Sequence, residues 1–313
     1  MPTVSIIVPV CNVAPYVDAC FKGVAGQAFR GFGVIVVDDG STDGSGQICD
    51  AWAARNVGLD MAKGEYVQFM DSDDRVEPRY TDALVRYARE TGCGCVICGY
   101  LCEREGVRYT TTPSPELVLM SARDCVRSVL EARSEARYRV ACGVWVHIFQ
   151  RSVFDEGGVR FPEGRVFEDV SVLVPTIRES GLVALVPDVL YYKHDRPESI
   201  TWEMSAQKAR DYLDAYKTLR EEVARSYPDM LPMADNLLER ARIAAWLRLA
   251  RDVHTGDKEA EAVLRVFQQE AVQGRGNLRL PSDMRYVLAL LGIVVAPGVT
   301  RRAYVAWRRR RGF

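Results

Sequence analysis

A chain of 313 residues is long enough for one large domain with an appendage, and its 48% hydrophobic content supplies a substantial core, which excludes a disordered chain. Lys and Arg total 41 against 42 for Asp and Glu, so a net charge of -1 excludes a general nucleic-acid binder and makes any basic surface a local one. Nine cysteines, an odd number scattered among apolar neighbours, do not form the framework of a secreted disulfide protein.

Met1-Pro-Thr runs straight into an apolar segment with neither a basic leader nor a cleavage site, which predicts no signal peptide and a cytoplasmic start. Val4 to Val10 predicts a strand, Pro15 to Ala28 a helix with proline near its first turn, and Gly33 to Asp38 a second strand. Asp43 to Ala53 reads as a helix, Tyr66 to Met70 as a strand, Pro78 to Gly92 as a helix ended by glycine, and Cys95 to Tyr100 as another strand. Alternation of this kind predicts an α/β fold, a mainly parallel sheet with helices on both faces. Residues 103–115 form a polar, turn-rich excursion, and Ser121 caps an amphipathic helix running to about Glu131. After Trp145 the pattern is irregular, with the Gly and Pro punctuation of loops and short strands at 151–161 and 187–201. From Ser205 helical periodicity dominates. Cys93, Cys95, Cys98 and Cys102 have the wrong spacing for paired zinc knuckles and read as small apolar residues of a buried strand.

Two of the strands end in acid. Val34-Ile-Val-Val-Asp-Asp-Gly-Ser-Thr-Asp43 and Tyr66-Val-Gln-Phe-Met-Asp-Ser-Asp-Asp74 are apolar, β-branched or aromatic runs that stop in carboxylates. In an open α/β sheet the ligand lies beyond the carboxyl ends of the strands, and clustered carboxylates there repel unless a cation or donor sits between them. Oxygen ligands such as Asp71, Asp73 and Asp74 suit Mg²⁺ or Mn²⁺, which complete their shell with phosphate oxygens and water. The pattern points to a phosphate-bearing substrate.

Val4-Ser-Ile-Ile-Val-Pro-Val-Cys-Asn12, Val37-Asp-Asp-Gly-Ser-Thr-Asp43, Arg55-Asn-Val-Gly58, Ala62-Lys-Gly-Glu-Tyr66 and Asp71-Ser-Asp-Asp74 together resemble the family 2 inverting glycosyltransferases of GT-A fold. The likeness continues through Gly143-Val-Trp-Val-His-Ile-Phe149, Phe167-Glu-Asp169 and Tyr191 to Thr201, about two thirds of the chain. It implies a GT-A domain over 1–200, with a nucleotide-sugar half at 1–105 and an acceptor half at 106–200, followed by a helical region with a basic tail at 201–313. By the same resemblance Pro9, Asn12, Asp39, Asp43, Arg55, Asp71 and Arg196 contact the donor, a UDP-sugar being favoured. Asp73 is the direct metal ligand, with Asp71 and His194 beside it and Asp74 assisting, and Asp169 is the general base. The acceptor expected is a hydroxyl of a glycan or lipid-linked molecule in cell-surface or capsular polysaccharide synthesis.

Each of these residues also has a plainer reading. Asp43 can N-cap the following helix, Asp71 to Asp74 can be a solvated turn, and Glu168-Asp169 are ordinary acids of a first helical turn. His147, standing where relatives often carry lysine, is by type more often structural, and His194 and Arg196 can belong to a polar loop. Cys11 stands where relatives usually show an aromatic residue. The Arg55-Asn56 motif abuts Ala54, where relatives insert a strand and a glycine-containing loop; one edge strand, and a wall of the base pocket, are expected to be missing. That departure motivates the rival reading, a non-catalytic family member acting as a binding or assembly partner. A GT-A-like nucleotidyltransferase is a third, but no N-terminal glycine-rich phosphate loop supports it.

Leu288 to Val295 is apolar but too short to span a bilayer, which needs about 20 residues. With Arg301, Arg302 and Trp307-Arg-Arg-Arg-Arg-Gly-Phe313 it suggests either peripheral contact with the inner face of the cell membrane through the basic tail, or a frayed, solvated end.

Overall fold

The computed structural model describes residues 1–38, 41–43, 51–104, 107–131, 138–195, 199, 202–253, 256–279 and 282–310. They form two compact units, Met1–Asp195 and Arg196–Phe313.

The first unit opens with β1 (Val4–Val10), α1 (Ala14–Ala25), β2 (Phe32–Asp38), α2 (Ala51–Met61), β3 (Tyr66–Phe69) and β4 (Arg75–Val76). It continues with α3 (Tyr80–Thr91), β5 (Cys95–Arg104), β6 (Val107–Thr111), β7 (Val118–Ser121) and α4 (Ala122–Glu131). It closes with β8 (His147–Gln150), α5 (Ser152–Asp155), α6 (Glu168–Ser180) and β9 (Leu182–Asp195). Among the described residues the nine strands make one sheet, with path β2-β1-β3-β8-β5-β9-β4, β6 on β5 and β7 on β9. The β1–β2, β1–β3 and β5–β9 pairs are parallel, whereas β8 runs against both β3 and β5 and β4 runs against β9. The sheet is therefore mixed: β1, β2, β3, β5 and β9 share one direction, and β4, β6, β7 and β8 run against it.

Local chemistry explains the elements that were read correctly. Gly92, left-handed at φ 68°, takes the Ala88 carbonyl and stops α3. Ser121 accepts the Asp124 N–H at 3.1 Å and opens α4. Cys93, Cys95, Cys98 and Cys102 are all buried, filling apolar positions in and beside β5.

Three readings are corrected. Residues 103–115 are not simply a turn-rich excursion over the sheet: β5 runs on to Arg104, and β6 pairs with it antiparallel as part of the sheet. Residues 187–195 are not loops and short strands: β9 is a 14-residue strand beside β5, bent where the register slips around Gly99, and Pro187 sits inside it. The helix predicted to end at Ala53 instead continues to Met61, carrying the Arg55-Asn56 motif within it. It lies close on β1 because position 58 is glycine; a Cβ there would overlap Ile7. Residues 44–50, where that helix was expected to begin, lie outside the described part.

The sheet path ends at β2, and Val34 and Val36 on it are 39% and 49% exposed. No further described strand pairs with this edge, where the resemblance puts the missing one.

The second unit is helical: α7 (Ala206–Ser226), α8 (Leu231–Asp252), α9 (Lys258–Gly274), α10 (Met284–Val295) and α11 (Pro297–Arg310). Asp257 caps α9 by accepting the Ala260 N–H, and Ser205 caps α7 by accepting that of Lys208. No described helix is long and apolar enough to cross a membrane.

Candidate active site

The common direction of β1, β2, β3 and β9 brings their carboxyl ends to one edge of the sheet. Asp38 ends β2, Asp71 follows β3 by two residues, and His194 and Asp195 end β9.

The loop after β3 is fixed by its own carboxylates. Tyr191, fully buried on β9 against the rings of Tyr80 and Trp145, donates its hydroxyl to Asp74 Oδ2 at 2.8 Å and accepts the Asp71 N–H at 3.2 Å. Asp74 Oδ1 accepts the His194 N–H at 2.7 Å. Both oxygens of Asp74 thus accept from β9, so this residue pins the loop to that strand. Burial, then Asp73 and Asp71, hold its carboxyl well above the usual carboxylate range. The imidazole of His194 lies against the Tyr16 ring, with centroids 5.5 Å apart.

Arg55 joins this loop to a distant helix. One guanidinium nitrogen donates to Asp71 Oδ1 at 3.0 Å and another pairs with Glu168, although Glu168 is 113 residues away in sequence. The structure gives Arg55 two protein carboxylates as partners where the resemblance implied a donor contact. Burial disfavours the cation, but Glu168, Asp169 and Asp71 more than restore it and raise its pKa. Beside it, Asn56 clips the backbone of Phe161, donating to its carbonyl and accepting its N–H, both at 2.9 Å. Phe161 packs edge-on to Phe69 of β3 and faces Arg55, so apolar packing and polar clip hold the guanidinium together.

Asp169 is the second residue of α6, where acids complement the helix dipole. Phe167, just before the helix, is left-handed at φ 67°; Asn12, at φ 48°, is the other such non-glycine residue among those described. Such conformations cost on the order of 1–3 kcal/mol and persist only where the surroundings enforce them. Asp169 receives a backbone hydrogen bond from Val144, yet its Oδ1 is buried without a partner. Burial pushes its pKa up to about 8; Arg55 opposes the rise, while Glu168 and Asp71 add to it.

On the other flank, Asn12 Oδ1 accepts the Thr42 N–H at 2.8 Å, and its own N–H donates to Ser41 Oγ at 3.2 Å. Asp43 caps across the chain, accepting the Ala14 N–H that opens α1 at 2.9 Å, rather than only serving the helix after it. Pro9 lies on β1 opposite Val37, beyond the last β3 pairing at Ile7, so its missing N–H costs no bond to β3. Asp39 and Arg196 lie outside the described residues.

Three participants are not among the residues expected from the sequence: Glu168 as partner of Arg55, Tyr191 as the pin, and Lys193. Burial opposes the Lys193 charge, but Asp74, Asp195 and Asp71 raise its pKa, and its ammonium lies 3.6 Å from Asp195. The alternation Tyr191, Lys193, Asp195 would have placed all three on one strand face had this stretch been read as a strand. His147 is fully buried, bonded to the Gly143 carbonyl and stacked on Phe149, and burial lowers its pKa to about 4. It is structural.

The donor set fits a divalent cation shared with a substrate. Cys20, beneath the loop, has its thiol pushed up to about 12 by burial and then by Asp74, Asp71 and Asp73, so three carboxylates add their fields at one place. Asp71 and Asp74 are largely occupied by protein partners, and among the described residues no group of three or more His, Cys, Asp or Glu side chains is arranged to hold a metal alone. One carboxylate, Asp73, with phosphate oxygens completing the shell, is the manner in which Mg²⁺ is usually bound.

A mixed sheet with helices packed on it and carboxylates at its strand ends, followed by helices, is a GT-A glycosyltransferase architecture. The solved structure of Staphylococcus aureus TarS 1-349 in complex with UDP-GlcNAc superposes with a TM-score of 0.68 at 18% identity, covering 100% of this chain and 92% of that one. The mannosyltransferase PcManGT from Pyrobaculum calidifontis, in complex with GDP-Man and Mn²⁺, gives 0.53 at 18% identity, covering 95% and 88%. Residues 5–121 match the model of Glycosyl transferase family 2. Among curated relatives, the uncharacterized glycosyltransferase EpsJ of Bacillus subtilis is 28% identical over 220 residues, 64% of this chain and 63% of its own length. Glycosyltransferase GlyG of Streptococcus pneumoniae is 27% identical over 245 residues, covering 68% and 78%. The match therefore spans slightly under two thirds of EpsJ.

Proposed function

We propose that this chain moves a sugar from a nucleotide-sugar donor, a UDP-sugar first, to a hydroxyl of a glycan or lipid-linked acceptor, with inversion at the anomeric carbon. The observation that carries the reading is the unpartnered, buried Oδ1 of Asp169, held beside the Asp71–Asp74 loop at the carboxyl ends of the strands. Asp169 takes the proton of the acceptor hydroxyl as that oxygen attacks the anomeric carbon from the face opposite the diphosphate. The bond from that carbon to the diphosphate oxygen breaks, and its electron pair leaves with the nucleoside diphosphate. Mg²⁺ or Mn²⁺ on Asp73, with His194 alongside, supplies positive charge to the leaving diphosphate when bound. Arg55 holds Asp71 and Glu168 in place and tempers the pKa of Asp169, and Lys193 adds a fixed positive charge to the same loop. The donors named for TarS and PcManGT support a nucleotide sugar, and the Mn²⁺ of PcManGT supports the metal. We place the reaction in polysaccharide synthesis at the cytoplasmic face of the cell membrane.

A second reading, a non-catalytic assembly partner, is favoured by one observation: among the described residues β2 ends the sheet path with Val34 and Val36 exposed, at the edge where the resemblance puts a further strand. A thermal-shift titration with UDP, GDP and CMP, each with and without Mn²⁺, separates the two. Transfer predicts a metal-dependent rise with one nucleotide; no rise with any of them, in a chain that melts cooperatively, would leave the assembly partner.

A further inference from the structure

The end of the second unit carries a surface that glycosyl transfer does not explain. Of the 17 large apolar side chains exposed among the described residues, seven fall between Met284 and Trp307. On α10, Met284, Leu288, Leu291 and Val295 recur at i, i+4, i+7 and i+11, which places them in one stripe along the helix. Leu288, Leu291 and Val295 are 60%, 55% and 79% exposed. The opposite side of the same helix is the packed one: Ile293 is fully buried, and its carbonyl accepts from Gln268 Nε2 of α9 at 3.0 Å. The helix is thus apolar on both sides, and its neighbours use only one.

Charge says what covers the other. From Met284 to Phe313 there is no Asp or Glu, and there are seven Arg, within a chain whose charges otherwise nearly cancel. On α11, Arg302 is exposed, with Val305 and Ala306 lining the same surface hollow, while the half-buried Arg301 beside it donates to the Val253 carbonyl. Trp307, also exposed, stacks on Tyr304 with centroids 5.9 Å apart, an amphipathic aromatic pair of the type favoured at a membrane–water boundary. A second copy of this chain would set one acid-free arginine surface against another, and like charges oppose that contact. An anionic lipid surface offers apolar depth and negative charge together.

We propose that α10 lies flat in the boundary of an anionic bilayer, its Met284-Leu288-Leu291-Val295 stripe among the acyl chains, with the arginines of α11 on the lipid phosphates. The 12 residues of α10 are too few to span a bilayer, and the stripe is one-sided, so the contact is peripheral. This goes beyond the basic tail alone, because the apolar stripe supplies an attraction that salt does not screen.

The test uses the purified full chain and vesicles of phosphatidylcholine, alone or mixed with phosphatidylglycerol, in flotation assays at low and high salt. No nucleotide sugar is present, so the outcome bears on this surface and not on transfer. The expected result is flotation with the phosphatidylglycerol vesicles, weakened but not abolished by salt. Leu288→Glu with Leu291→Glu should abolish it at both salt levels, and Arg302→Gln should weaken it about fivefold at low salt. As a readout independent of the glutamate variants, brominated lipid should quench tryptophan emission, and Trp307→Phe should remove most of that quenching. Absence of flotation by the folded chain, or flotation unchanged in the double-glutamate variant, would overturn the proposal. A concentration-dependent dimer in light scattering that the same variant dissolves, without vesicle binding, would give the stripe to a second copy instead.

Discussion

Two ionic clusters, one in each unit, are alike in composition and differ in what they can do. At the sheet edge, Arg55 spans Glu168 and Asp71, and burial pushes Asp169 up to about 8. In the helical unit, Glu239 of α8 pairs with Arg242, which also reaches Glu270 of α9 at 3.1 Å, and burial pushes Glu239 up to about 7. Each cluster leaves one carboxylate oxygen without a partner, Asp169 Oδ1 and Glu239 Oε1. The surroundings separate them. Asp169 stands at the carboxyl ends of parallel strands, next to a loop of further carboxylates and behind a left-handed residue. Glu239 is sealed between helices, where the absent side chain of Gly274 makes room for its carboxylate and for nothing larger. A raised pKa marks burial, and only the strand-end position turns it into a candidate site.

The comparison breaks most sharply under substitution. Asp169→Asn should lower transfer, followed as nucleoside diphosphate release with a glycolipid extract as acceptor, by about 10²–10⁴-fold, the usual contribution of a general base. Glu239→Gln should leave that rate within about twofold, since it touches no reacting group. If both variants lose transfer equally, the distinction fails.

Arg55→Met leaves the partly buried Asp71 and Glu168 without their counter-charge, which should cost about 1–3 kcal/mol of stability in denaturant unfolding. Gly274→Ala should cost about 1–3 kcal/mol by pressing on Glu239, with transfer by the folded fraction unchanged. Equal loss of transfer in the glycine variant would tie the helical cluster to the chemistry.

The smallest effect is the dependence on pH. Asp169 rises from 3.8 to about 8 and Glu239 from 4.5 to about 7, so between about pH 4 and 8 the folded chain holds protons that the unfolded chain has lost. Stability should therefore fall as pH rises through that window, whereas transfer, which needs ionised Asp169, should climb toward pH 8. Asp169→Asn should flatten part of the stability slope and raise Tm at neutral pH by a few degrees, given that 1 kcal/mol is worth roughly 2–4 °C in a domain of this size. A variant that melts lower with an unchanged slope would contradict the assignment of the raised pKa.

What the sequence reveals follows the range of the forces involved. β1, β2 and β3 and their acid tips are readable because apolar runs and turn chemistry are local. The strand at 182–195 hides because Pro187 and its polar end imitate a loop, and only its pairing with β5 decides the matter. The link from Arg55 to Glu168 spans 113 residues, and that from Tyr191 to Asp74 spans 117, so neither leaves a periodic trace. Asp43 looks like a cap for the next helix because the nearer helix start is the obvious partner, whereas its carboxylate crosses to α1. The exposed stripe of α10 is equally invisible in outline, since apolar spacing alone does not say which side of a helix finds neighbours.

The most direct test of the central claim is calorimetric titration of UDP with Mn²⁺ into the wild-type chain, Asp73→Asn and Asp169→Asn side by side. If Asp73 holds the metal and donor while Asp169 acts only on the acceptor proton, the Asp73 variant loses metal-dependent binding and the Asp169 variant binds like wild type. Retained metal-dependent binding in the Asp73 variant, or its loss in the Asp169 variant, would contradict that division of labour.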